Sequence, residues 1–181
     1  MKDRKNKTRQ VTLLALCASV ALLLSYVEFL IPPIFTAVPG VKMGLPNVVI
    51  VWALYELGGK QAAVISFVRL VIVTLLFGNF PTFVYSLAGA VLSLAVMLLL
   101  KKLNFLSSIG VSVAGAIMHN LGQVLVAMAL MRTSEIGYYM IVLAITGTIS
   151  GIFIGLCGSF LVKRFNNILK QKKINIFLIF S

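Results

Sequence analysis

The chain has 181 residues, 60% of them hydrophobic and only 11% charged, with a mean hydropathy of +1.07. A soluble domain of this size carries roughly twice that charged fraction, so composition excludes a water-soluble globular protein and requires an integral membrane protein. The net charge of +12 would suit a nucleic acid, but the basic residues sit in clusters beside apolar stretches: Lys2, Arg4, Lys5, Lys7 and Arg9 at one end, Lys163, Arg164, Lys170, Lys172 and Lys173 at the other. That placement excludes nucleic acid as the partner and points to membrane lipid headgroups.

Length allows about six spans of roughly 20 residues joined by short connections. The expected fold class is therefore all-α integral membrane, with six transmembrane helices in one domain. A basic tail over residues 1–10 precedes a six-helix membrane domain over 11–165, and a basic and apolar tail covers 166–181.

The first span is predicted over Val11 to Ile31 and carries Glu28 near its far end. It is too long for a signal-peptide core and ends in Pro32-Pro33, so it reads as a retained helix. Ala15, Ala18, Ser19 and Ala21 cluster in its first half, where a partner protein or a neighbouring helix of the same chain could approach closely.

Next comes Val38 to Asn47, Val-Pro-Gly-Val-Lys-Met-Gly-Leu-Pro-Asn. Two prolines and two glycines forbid a regular spanning helix. Irregular backbone at membrane depth is tolerated only where protein or water satisfies its polar groups. The stretch either lines a site or is an ordinary extracytoplasmic loop. The second helix, Pro46 to Leu57, rises only about 18 Å against a hydrocarbon core of about 30 Å. Either the preceding segment dips into the membrane or neighbours shield this helix.

The third helix follows the Gly58-Gly59-Lys60 turn and runs to Phe77, with Arg69 roughly 13 Å in from Lys60. After the turn Gly78-Asn79-Phe80-Pro81, the fourth helix runs from Thr82 to Leu100 and is closed by Lys101-Lys102; Gly89 with Ser93, and Ser86 with Ala90, give it small faces. The fifth helix, Ser108 to Met131, carries His119, Asn120 and Gln123. The sixth spans Gly137 to Val162, with Gly147, Gly151 and Gly155 forming a close-packing stripe. The tail from Ile174 to Phe180 is apolar but too short to span.

Six spans put both termini, the Lys60 turn and the Lys101-Lys102 turn on one side, with thirteen of the sixteen basic residues; Lys42 and Arg132 fall on the other, and Arg69 lies within the membrane. The positive-inside rule then sets both termini in the cytoplasm.

Ionisable residues inside spans are costly, and each is by default a functional-site hypothesis. His119 lies about 16 Å up its helix, near the depth of Arg69, and shares a face with Gln123 at i, i+4. With Lys42, Asn47 and Asn79 from the outer side, Arg69, His119, Asn120 and Gln123 form a candidate substrate-binding pocket, whose cations suit an acidic or phosphate group. The structural alternative has Arg69 binding backbone carbonyls while the three helix-5 residues bond between helices. By rise, Glu28 lies about 12 Å further out than Arg69 and Glu56 sits near the inner surface, so Arg69 is expected without an acidic partner.

No Walker A sequence is present, so the chain powers nothing by itself. Its only acids are Asp3, Glu28, Glu56 and Glu135, with no aspartate pair to hold magnesium on a diphosphate. One histidine and no embedded carboxylate pair argue against a hydrolase or a proton pump. Cys17 and Cys157 read as small apolar residues, not a metal or redox site. No catalytic residue, metal or cofactor is expected, and the chain is not an enzyme on its own.

Several stretches carry a resemblance in combination: Val38 to Asn47 with the following Val-Val-Ile, Arg69, Ser86-Leu-Ala-Gly89, and Gly115-Ala-Ile-Met-His-Asn-Leu-Gly-Gln123. Over residues 11–165 the chain resembles the Gx transporter family, also labelled heptaprenyl diphosphate synthase component I. The resemblance implies a six-helix bacterial plasma-membrane protein similar to the S components of energy-coupling-factor transporters. Such subunits bind a small vitamin-like molecule from outside and work with a transmembrane coupling subunit and cytoplasmic ATPases. Ala15 and Ser19 would then dock the coupling subunit. The expected function is such a substrate-capture subunit, for a small anionic, vitamin-like or isoprenoid-like molecule. The alternative is a noncatalytic membrane subunit of heptaprenyl diphosphate synthase, or of a quinone- or flavin-linked electron-transfer assembly.

Overall fold

The structure, a computed structural model, describes residues 2–31, 44–132 and 134–179, and every regular element among them is helical. In chain order these are α1 (Lys2–Leu30), α2 (Asn47–Glu56), α3 (Gly59–Phe77), α4 (Phe80–Leu103), α5 (Ser108–Met131), a 3-10 turn (Glu135–Tyr138) and α6 (Tyr139–Ile179). Five of the six α-helices are long and apolar enough to cross a membrane; α2 is a ten-residue apolar helix. The chain is thus an all-α, multi-pass membrane protein.

The ends of the helices follow local chemistry. α4 starts at Phe80 because Asn79 caps it: the Asn79 Oδ1 accepts from the Thr82 amide at 2.9 Å and from the Thr82 hydroxyl at 2.7 Å, and Pro81 occupies a first-turn position whose missing N–H costs nothing. It ends at Asn104, in the left-handed conformation at φ 50° that terminates helices. α5 begins at its Ser107 cap, which accepts from the Gly110 amide at 3.3 Å, over the range read from the sequence.

Three ends differ from expectation by three residues or more. α1 begins at Lys2 instead of Val11, because residues 2–10 contain no glycine or proline to stop a helix rich in lysine and arginine. α4 extends through Lys101 and Lys102 to Leu103. α6 does not end near Val162 but runs 41 residues to Ile179, so the stretch from Ile174 through Ile179 is helical. No glycine or proline interrupts residues 159–179.

The core is centred on α2. Val49, Ile50, Val51, Ala53 and Leu54 are buried, meeting Cys17 and Ala21 of α1, Ala62 and Ile65 of α3, Met97 of α4, Val111 of α5 and Ile154 of α6. The dilemma of the short second helix is resolved by shielding: α2 packs against α1, α3 and α6. The chain before it also reaches inward. The Gly44 amide donates to the Glu28 carboxylate of α1, and a Cβ added at Gly44 would stand 3.1 Å from Ile154 Cδ1 of α6. Gly44 has φ +73°, a conformation that a side chain would strain.

Lipid tails are as apolar as leucine, so close packing by small residues has to hold the outer helices together. The predicted glycine stripe of α6 does this against α5. A Cβ at Gly151 would fall 2.7 Å from Val113 Cα, and one at Gly155 2.8 Å from Ile109 Cα. On α4, Gly89, Ala90 and Ser93 are buried as the small-face pattern predicts. The large side chains Leu16, Leu23, Leu75, Leu76, Val91, Leu125, Ile141 and Ile149 point outward, where hydrocarbon covers them.

Candidate intramembrane binding site

Arg69 lies midway along α3, and its Nε is buried with no hydrogen-bond partner among the described residues. An unmatched buried donor is costly, and more so when it carries charge. Two ionisable groups flank it. Glu28 near the outer end of α1 and His119 of α5 both interact electrostatically with Arg69. Glu28 is thus the acid whose charge acts on Arg69, a coupling that depth along the helices did not reveal. Counting rise compares Cα depths only, whereas a glutamate and an arginine each extend several atoms from the backbone.

Glu28 links this charge to the irregular stretch, because its carboxylate accepts the Gly44 amide. Sequence reasoning set Glu28 aside on depth. The available signal was its being the one carboxylate near the outer end of a span, beside a stretch whose backbone donors need acceptors. Tyr26 and Phe29 of α1 close this end of the α1–α3 interface against Phe77, with ring centroids 5.8 and 4.7 Å apart.

His119 and Gln123 line the other wall, where α4 and α5 meet through glycine. A Cβ at Gly89 would lie 2.7 Å from the His119 carbonyl oxygen, 3.0 Å from Gln123 Cγ and 3.1 Å from His119 Cε1. A Cβ at Gly122 would meet the Ala88 carbonyl oxygen at 2.8 Å. The imidazole and the amide stem thus pack directly on the α4 backbone, on the shared face that their spacing predicts.

The remaining candidates divide. Asn47 is the first residue of α2, and its Nδ2 would stand 3.2 Å from a Cβ at Gly44, placing it beside the segment that Glu28 holds. Asn120 points the other way: its Nδ2 donates to the Leu143 carbonyl of α6 at 2.8 Å, which is the interhelical role of the structural alternative. Asn79 is exposed and serves as the α4 cap. Lys42, with most of Val38 to Asn47, lies outside the described residues. On α1, Ala15 and Ser19 are exposed, with the Ser19 hydroxyl donating to the Ala15 carbonyl at 2.9 Å. Ala21, from the same small-residue cluster, is in the core.

Glu28, Arg69 and His119 therefore form an ionisable row across α1, α3 and α5, with Gly44, Asn47 and Gln123 at its edges. The row offers an arginine donor without a partner, a carboxylate acceptor and an imidazole, groups that can hold an anionic or polar ligand. Nothing in it supplies the paired carboxylates that phosphoryl chemistry needs for magnesium. Among the described residues no three His, Cys, Asp or Glu side chains converge on a metal position.

A family model described as heptaprenyl diphosphate synthase component I matches residues 17–161. No curated protein and no solved structure matches the chain.

Proposed function

Because the chain belongs to the heptaprenyl diphosphate synthase component I family, we propose that it is the noncatalytic membrane component of such a synthase, working beside a second, catalytic chain. The observation that carries this reading is the match itself, which extends from the first half of α1 well into α6. The acid inventory supports it: Asp3, Glu28, Glu56 and Glu135 are the only carboxylate side chains, too few and too scattered to bind a diphosphate through magnesium. The chain is not an enzyme by itself, so chemistry falls to the partner. A membrane-embedded component would hold that partner where its long apolar product partitions.

The test is gentle purification of the full chain from its native membrane, with mass spectrometry of what comes with it. A soluble prenyl diphosphate synthase whose activity falls when this chain is deleted is the expected result. Synthase activity indifferent to the chain sinks the reading.

A second reading has its own support, the buried and unpartnered Arg69 Nε beside Glu28 and His119. In it the chain captures a small anionic molecule from outside, in the manner of a transporter S component. Recovery of a transmembrane coupling subunit and ATPases in the same purification would favour it over the synthase role.

A further inference from the structure

At the cytoplasmic edge of the bundle, away from Arg69, a cavity of about 230 Å³ opens in the wedge where α2 and α5 each pack on α6. Val51 and Tyr55 of α2, Ser108 of α5, and Gly158, Ser159 and Lys163 of α6 line it. Its depth follows from its neighbours: Lys163 begins the basic cluster that marks the inner membrane surface, and Lys101 lies over the Tyr55 ring at 4.9 Å. The apolar floor exists because residue 158 is glycine; a Cβ there would press on Val51 Cγ1 at 3.0 Å.

The polar lining is unspent. Some serine hydroxyls in the spans are tied to backbone carbonyls, as at Ser19, Ser25 and Ser150. The hydroxyls of Tyr55, Ser108 and Ser159 and the amine of Lys163 have no hydrogen-bond partner among the described residues. The nearby carboxylate, Glu56, takes the Asn166 amide at 3.1 Å and has its own partner. Ser108 also lies in the first turn of α5, whose leading amides have no intrahelical acceptor. The cavity thus gathers donors and a cation at headgroup depth above an apolar floor.

We propose that this cavity seats the phosphate headgroup of an amphiphile whose apolar chain lies along the bundle in the inner leaflet. Lys163 supplies the charge, and the Ser108, Ser159 and Tyr55 hydroxyls supply donors to the phosphate oxygens. The volume sets the division between headgroup and chain. Pockets that enclose whole drug-sized ligands measure about 300–1,000 Å³, so this one takes a headgroup and leaves the tail to lipid. A membrane phospholipid and a prenyl diphosphate share this chemistry. The inference goes beyond the synthase-component reading and does not rest on it, since it concerns a ligand of the chain alone.

The experiment uses the full chain in phosphatidylcholine nanodiscs, with radiolabelled geranylgeranyl diphosphate as probe, geranylgeraniol as its phosphate-free counterpart, and phosphatidylglycerol as competitor. Saturable binding of the diphosphate is expected, with the alcohol at least about tenfold weaker. Lys163→Glu and Ser159→Leu should each weaken binding by about tenfold in monodisperse protein. Displacement by phosphatidylglycerol identifies a phospholipid as the natural occupant; persistence against it identifies the prenyl diphosphate. Equal binding of the alcohol, no binding of either phosphate ligand, or full binding by both α6 variants overturns the proposal. Copurification of a synthase is a separate result, so either conclusion can fail while the other stands.

Discussion

Lys101 offers a quantitative test of how α2 is held at the centre of the bundle. The last carbonyls of any helix lack intrahelical donors, and Leu54 O in the last turn of α2 is one of them. The Lys101 amine, from the last turn of α4, donates to it at 2.6 Å and lies 4.9 Å from the Tyr55 ring centroid. A hydrogen bond from a charged donor contributes roughly 1.5–3 kcal/mol, a cation over an aromatic face about 0.5–1 kcal/mol, and a cation at a helix C-terminus about 0.3–1 kcal/mol. One ammonium group makes all three, so they overlap, and Lys101→Met should cost about 2–3 kcal/mol while keeping the aliphatic stem. For a chain of this length that lowers Tm by about 4–12 °C. Hydrogen exchange should quicken at Leu57 and Gly58, whose amides both bond to Ala53 O beside the latch, and stay constant in the middle of α5. Lys101→Arg keeps a donor and a charge and should retain most of the stability. Unchanged Tm and unchanged α2 exchange in Lys101→Met would refute the latch.

Gly151→Leu should split α5 from α6, because even its first side-chain carbon meets Val113 Cα at 2.7 Å; a loss of at least about 1–3 kcal/mol is read as lowered Tm in detergent. Asn79→Ala removes the α4 cap and should cost about 0.5–2 kcal/mol, with Asn79→Asp, which keeps an acceptor oxygen, close to the parent in a thermal melt. Asn120→Leu loses the bond to Leu143 O and should cost about 1 kcal/mol in the same melt, without altering ligand binding. Arg69→Ala and His119→Ala should reduce binding of an anionic ligand at the outer site in protein that remains folded and monodisperse; lowered stability with intact affinity would make either residue structural.

Much of the architecture was legible because it depends on local patterns. Apolar run length placed the helices, the turn Gly78-Asn79-Phe80-Pro81 separated α3 from α4, and the spacing of Gly147, Gly151 and Gly155 marked a close helix contact. Where an expected end failed, as at Val162, the missing stop signal was itself in the sequence: no glycine or proline follows before Ile179. The site was less legible. Arg69, His119 and Gln123 stood out because charge and amides are expensive in hydrocarbon, but spacing could not separate Asn120, which bonds α6, from Gln123, one turn on, which packs on Gly89.

The sequence by itself determined a membrane protein and its helices, because both follow from transfer free energies read along one dimension. Only the tertiary structure decided that the shortest helix lies at the centre. Only it brought Glu28 to Gly44 and Arg69, bound Lys101 to Leu54, and left a lined cavity between α2, α5 and α6. Those contacts join residues 16 or more positions apart, and they depend on side-chain reach and on which helix faces which, quantities that no count of rise per residue contains.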